Sequence, residues 1–179
     1  GIPPQGRYLC FALRQWRGFE EKAPLFGAAA CYAYKTYGLI PVFTAVEKHL
    51  DPAAARLAAQ GLDIPHYFLD DAGGAGTIIG ALSRMEAVVS MRLHALIFAA
   101  GQGIPLAGVV YDPKVSAFLR YTGQDNFTNL EDLTEAALRA MIDRAVGQAG
   151  HPETQAAAVE RLQAMEGGNV AVARRLLKL

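Results

Sequence analysis

Short apolar runs alternate with longer amphipathic stretches along the whole chain. Residues 7–13 (RYLCFAL), 39–46 (LIPVFTAV), 66–69 (HYFL), 87–90 (AVVS), 105–111 (PLAGVVY) and 126–128 (NFT) read as six strands. Pro41 weakens the second, because proline cannot donate to a sheet ladder. Helical patterns fill the intervals. One covers 20–37 and is closed by Gly38. Asp51-Pro52 opens the next, with proline at a first-turn position that suits its missing N–H. A third spans 73–84 with a Gly-rich start, a fourth spans 91–102 and stops at Gly103, and a short one covers 115–121. The stretch 130–146 is amphipathic, with Leu133, Ala137, Leu138, Met141 and Ile142 on one face. A last helix runs from about 152 to the end, with Gly167-Gly168 as its point of interruption.

Alternating apolar strands and helices predict an α/β fold with a parallel sheet covered on both faces. Right-handed crossovers then give a doubly wound, Rossmann-like sheet, whose commonest six-strand order is 3-2-1-4-5-6. The order reverses between the first and fourth strands. Ligands of such sheets bind outside the strand carboxyl ends at that reversal. Chain order alone therefore nominates the loops after Leu13 and after Ser90.

Composition narrows the classes. At 179 residues, 52% hydrophobic and 19% charged, the chain can bury a full core, and the whole of 1–179 reads as one domain. A formal net charge of zero argues against a nucleic-acid surface, which needs an excess of Lys and Arg. Cys10 and Cys31 read as buried thiols of a reducing compartment, with neither a disulfide framework nor a metal site. His49, His66 and His151 are scattered without metal-ligand spacing. No apolar run reaches the roughly 18 residues that would span a bilayer, and no signal peptide is visible. The chain opens Gly1-Ile2-Pro3-Pro4 without a Met, which reads as a linker with further sequence upstream.

The chemistry concentrates in three loops that follow predicted strands: Arg14-Gln15-Trp16-Arg17, Ser90-Met91-Arg92-Leu93-His94 and Tyr111-Asp112-Pro113-Lys114. Four cations and one histidine thus point towards one crevice. Ser90 is placed to cap the fourth helix, which sets Arg92 and His94 in its first turn. Arginine there opposes the helix dipole, so an anion between the two is expected. The alternative is a surface ion pair. His94 reads either as a general acid or base or as a hydrogen-bonded histidine at the core rim. Asp70-Asp71-Ala72-Gly73-Gly74-Ala75-Gly76 lacks the lysine and serine of a phosphate-binding loop and reads as a flexible helix start. Tyr32, Tyr34 and Tyr37 read as packing residues or as part of an interface with a further domain.

Residues 88–118, VVSMRLHALIFAAGQGIPLAGVVYDPKVSAF, closely resemble the signature block of the polysaccharide pyruvyl transferase family, and residues 11–16, FALRQW, resemble a second patch of it. The resemblance implies the C-terminal half of a two-domain enzyme similar to GT-B glycosyltransferases. Such an enzyme transfers pyruvyl from phosphoenolpyruvate to a saccharide acceptor as a ketal. Family members modify exopolysaccharides or the cell-wall polysaccharide that anchors S-layer proteins. By resemblance, Arg92 and His94 are catalytic and, with Leu93, bind the donor. Lys114 matches a basic residue after the fifth strand, and Arg14 is added on position. No cofactor or metal is implied. The location implied is cytoplasmic, with the inner face of the membrane allowed. The partner implied is a missing N-terminal domain, onto which the helix from about 152 to 179 would cross. Two other readings stay open: the donor-binding half of a nucleotide-sugar glycosyltransferase, and a non-catalytic Rossmann-like binding module.

Overall fold

All six apolar runs become strands: β1 (Tyr8–Ala12), β2 (Ile40–Thr44), β3 (Tyr67–Leu69), β4 (Ala87–Ser90), β5 (Leu106–Val110) and β6 (Phe127–Asn129). They form one parallel sheet in the order β3-β2-β1-β4-β5-β6, the doubly wound order expected from the sequence. The structure, a computed structural model, describes residues 2–70 and 73–177. Gly1 of the linker-like start, Asp71 and Ala72 of the Gly-rich stretch, and Lys178 and Leu179 of the last helix lie outside the described residues.

Side chains alternate across each strand, and this alternation builds two cores. Leu9, Phe11, Phe43, Val89 and Val109 face α1 (Phe19–Tyr37), α2 (Asp51–Ala58) and α6 (Glu135–Ala149). Cys10, Ala12, Val42, Val88 and Leu106 face α3 (Ala75–Leu82), α4 (Leu93–Gly101) and α5 (Pro113–Tyr121). Pro41 survives inside β2 because of register. Ile40 N–H donates to Arg7 O on the β1 side at 2.8 Å, so the missing N–H of Pro41 faces the other side, where β3 pairs only from Val42 onward.

The helices follow the sequence pattern, with adjustments at α6 and α7. Helix α6 starts at Glu135 rather than 130, because Thr134 caps it by accepting the Ala137 N–H at 3.1 Å. Leu130 N–H is instead bonded to Val110 O, which keeps that segment beside the sheet. Helix α7 (Pro152–Leu177) runs through Gly167-Gly168 unbroken. A glycine costs a helix only about 1 kcal/mol, too little to break one of 26 residues. Cys31 is half-buried rather than buried, while Cys10 is fully buried.

Two contacts fix the outer layer. An added Cβ at Gly27 of α1 would stand 2.6 Å from Ala58 O, so only glycine permits α1 and α2 to approach this closely. The hydroxyls of Tyr32 and Tyr37 both donate to Asp143 Oδ1, at 2.8 and 2.7 Å, and tie α1 to α6. These two tyrosines are therefore packing residues. No helix is long and apolar enough to cross a membrane among the described residues.

Candidate functional site

The reversal of strand order puts the ends of β1 and β4 side by side, and Ser90 joins them. Its Oγ accepts the Arg92 N–H at 2.9 Å and lies 3.3 Å from Ala12 O and 3.0 Å from Arg92 O. Met91 N–H also donates to Ala12 O, at 3.0 Å. The expected cap is thereby corrected: Ser90 closes a turn, and Arg92 itself is the N-cap of α4, with an extended backbone and no side-chain capping bond. Two helical positions later than expected, the N–H groups of Leu93, His94 and Ala95 form the open first turn.

The anion expected opposite Arg92 belongs to the chain itself. Arg92 Nε lies 3.2 Å from Asp51 Oδ2, with the arginine side chain 12% exposed and the aspartate 0%. This is a buried pair, not a surface one. Asp51 is the first residue of α2, yet its Oδ2 accepts no bond from that helix. It takes the N–H groups of Val46 and Glu47 in the loop before it, at 3.0 and 2.8 Å. Burial pushes the Asp51 carboxyl above its ordinary range. The two backbone donors, Arg92 and the charge of nearby Arg14 only partly offset this. Asp51 Oδ1 is buried without a partner among the described residues. The Nη groups of Arg92 make no hydrogen bond among the described residues, so the guanidinium is anchored through its Nε edge.

The remaining expected residues share this rim but divide between two clefts. On the β2–β3 side, His94 is exposed and lines a cavity of about 740 Å³ with His49, Gly73 and Gly74. Its ring stands 6.2 Å from that of Phe98, and it makes no hydrogen bond among the described residues, unlike a structural rim histidine. Leu93 is half-buried and packs on the apolar cluster below α4. On the β5–β6 side, Arg14 donates to Tyr111 Oη at 3.3 Å and lies 5.3 Å from the Trp16 ring centre. Lys114 is half-exposed, 3.6 Å from Asp112 and 5.9 Å from the Tyr111 ring centre. Arg17 and Trp16 line the second cleft, of about 760 Å³, with Tyr111 and Asn129. The single crevice inferred from sequence is thus a ridge, carrying Arg14 and Arg92, between two hollows.

Sequence reasoning missed Asp51, which it treated as a helix opener. It also set aside His49 and Gly74, which share the His94 cavity. Gly74, with φ 121° at the start of α3, takes a backbone that favours glycine. Among the described residues, no group of three or more His, Cys, Asp or Glu side chains could hold a metal ion.

The arrangement provides one anchored guanidinium, an open helix N-terminus and an exposed imidazole, a set suited to a small anion whose chemistry includes a proton transfer. Solved structures share the fold. The calicheamicin glycosyltransferase CalG4 matches 99% of this chain and 46% of its own at 16% identity and a TM-score of 0.63. The spinosyn rhamnosyltransferase SpnG, complexed with thymidine diphosphate, matches 89% and 42% at 14% identity and 0.59. A UDP-GlcNAc 2-epimerase of Methanocaldococcus jannaschii matches 79% and 39% at 8% identity and 0.55. The chain therefore spans less than half of each, and at these identities the likeness is one of fold, that of GT-B glycosyltransferases. No curated protein matches the sequence. A family model described as polysaccharide pyruvyl transferase matches residues 4–113.

Proposed function

Because the chain belongs to the polysaccharide pyruvyl transferase family, we propose that it is the donor-binding half of an enzyme that moves pyruvyl from phosphoenolpyruvate onto a sugar as a ketal. The observation that carries this reading is Arg92 at the N-cap of α4, held by buried Asp51 at the point where the strand order reverses. Phosphoenolpyruvate carries a carboxylate and a phosphate. The unpaired edge of Arg92 and the first-turn N–H groups of α4, Leu93 among them, bind one. Arg14 and Lys114 approach the other from the β5 side.

In this mechanism His94 gives a proton to the methylene carbon, which makes the neighbouring carbon electrophilic. A sugar hydroxyl attacks there, and its proton and the phosphate leave. A second hydroxyl closes the ketal and gives up its proton, which restores the one His94 donated, so one hydrogen phosphate is released per ring formed. The acceptor is a sugar of a cell-wall or exopolysaccharide, handled on the cytoplasmic side. Further contacts come from an N-terminal domain. The exposed Val172, Leu176 and Leu177 near the end of α7 support such a contact, since apolar side chains of this size in one short stretch suit a covered surface.

Phosphate release by the two-domain protein tests the reading. His94→Ala should lower turnover by roughly a hundredfold, the usual scale for a lost general acid. Phosphate release that persists at the wild-type rate in this variant removes His94 from the mechanism. Saturable binding of thymidine or uridine diphosphate, with none of phosphoenolpyruvate, would instead favour a nucleotide-sugar donor.

A further inference from the structure

None of the residues assigned to the donor lines the cleft on the β5–β6 side, which is slightly the larger of the two. Its floor is apolar, formed by Val110 and Leu130, both buried. One wall is Trp16, the chain's single tryptophan, with 43% of its surface exposed. Tryptophan is normally well covered, so an exposed one at a cavity wall needs a reason. The ring is also fixed in place. It meets Tyr111 edge-on, with ring centres 4.9 Å apart, and Arg14 lies against it while bonding Tyr111 Oη. A ring held this way loses little freedom when something stacks on it.

The polar lining decides what that something is. Glu21, Asp112 and Glu131 face the cleft against one cation, Arg17. Asp112 is partly neutralised by Lys114. The side chains of Glu21, Glu131 and Arg17 have no hydrogen-bond or ion-pair partner among the described residues. Asn129 adds an amide whose Nδ2 is engaged by Asp132 at 2.9 Å, leaving its oxygen as an acceptor. A surplus of carboxylates repels a doubly charged phosphate ester. Acceptor groups beside an aromatic face instead suit a neutral ring rich in hydroxyl donors, with an apolar face to stack.

We infer that this cleft seats a neutral pyranose of the acceptor saccharide. That it is the acceptor rests on the pyruvyl-transfer reading; that it is a saccharide rests on the cleft alone. The donor anion then lies on the Arg14–Arg92 ridge with the sugar beside it in the cleft, where the surplus of carboxylates excludes the donor itself.

Trp16 fluorescence reports on this cleft directly. A panel of neutral methyl hexopyranosides, N-acetylhexosaminides and their disaccharides is titrated into the chain, with phosphoenolpyruvate and thymidine diphosphate as comparison probes. At least one saccharide should give a saturable change. Its affinity should fall about tenfold or more in Glu131→Ala and in Glu21→Ala, both exposed positions whose loss spares the core. The inference is overturned if no saccharide in the panel saturates, or if saccharide affinity is the same in both variants. It is overturned equally if thymidine diphosphate binds and is the probe those variants weaken. Calorimetry with phosphoenolpyruvate separates the two ideas. Donor binding without saccharide binding sinks this inference alone, whereas saccharide binding without donor binding sinks the donor reading and leaves the cleft as a sugar site.

Discussion

The surroundings of Asp51 resist a charge on its carboxyl. Burial raises its folded pKa above the ordinary 3.8, so the fold favours the protonated carboxyl. The stability this contributes is present in full below 3.8 and is lost as the pH rises through the folded value. An ionised Asp51 carboxylate therefore costs folding energy, which its pairing with Arg92 offsets only in part. Asp51→Asn keeps an oxygen for the Val46 and Glu47 N–H groups and removes the charge. This variant should melt no lower than the wild type at pH 7 while binding phosphoenolpyruvate several-fold more weakly. Wild-type donor binding should also weaken on acidification, beginning above the usual carboxylate range as Asp51 takes up its proton. A melting temperature well below wild type with donor affinity intact would make Asp51 merely structural. None of this was legible in the sequence. Arg92 and Asp51 are distant along the chain and meet only because β2 and β4 flank β1. The Ser90 misreading has a similar source: a serine before a helical run looks like a cap, but its hydroxyl was already committed to the β1–β4 junction.

Elements were far easier to read, because period and punctuation are local. Strand β4 matches its apolar run residue for residue, and α1 ends at Tyr37 before Gly38, which takes the left-handed backbone at φ 69°. What the pattern could not reveal was how elements are tied to one another. Asp143 is a polar position beside the apolar face of its helix, and only the packing of α1 on α6 brings Tyr32 and Tyr37 onto it. The bond to Asp143, helped by burial, raises the Tyr37 phenol well above its ordinary 10.0. A raised pKa makes this contribution complete below pH 10.0 and lost as pH climbs through the folded value. Asp143→Asn should therefore unfold more readily than wild type at neutral pH, and the gap should close in alkali. Denaturant melts at pH 7 and above pH 10 check this, and a gap that widens in alkali contradicts it.

At the scale of the molecule, strand alternation was enough to give the sheet order, and the order was enough to nominate the loops after β1 and β4. The division of that rim into a central ridge and two hollows was not legible, since it depends on where Tyr111 and the β2–α2 loop direct their atoms. Arg14 and Arg92 stand on the ridge, and Glu21, Asp112, Asn129 and Glu131 line the β5–β6 cleft, which is the separation that the proposed donor and sugar sites rest on. The claim on which the rest depends is that Arg92 holds the donor anion. Calorimetric titration of phosphoenolpyruvate into the chain and into its Arg92→Ala variant, with thermal melting to verify that both are folded, tests it most directly. Saturable binding that weakens at least about tenfold in the variant is the predicted result; a folded Arg92→Ala protein that binds phosphoenolpyruvate as tightly as the wild type would contradict it.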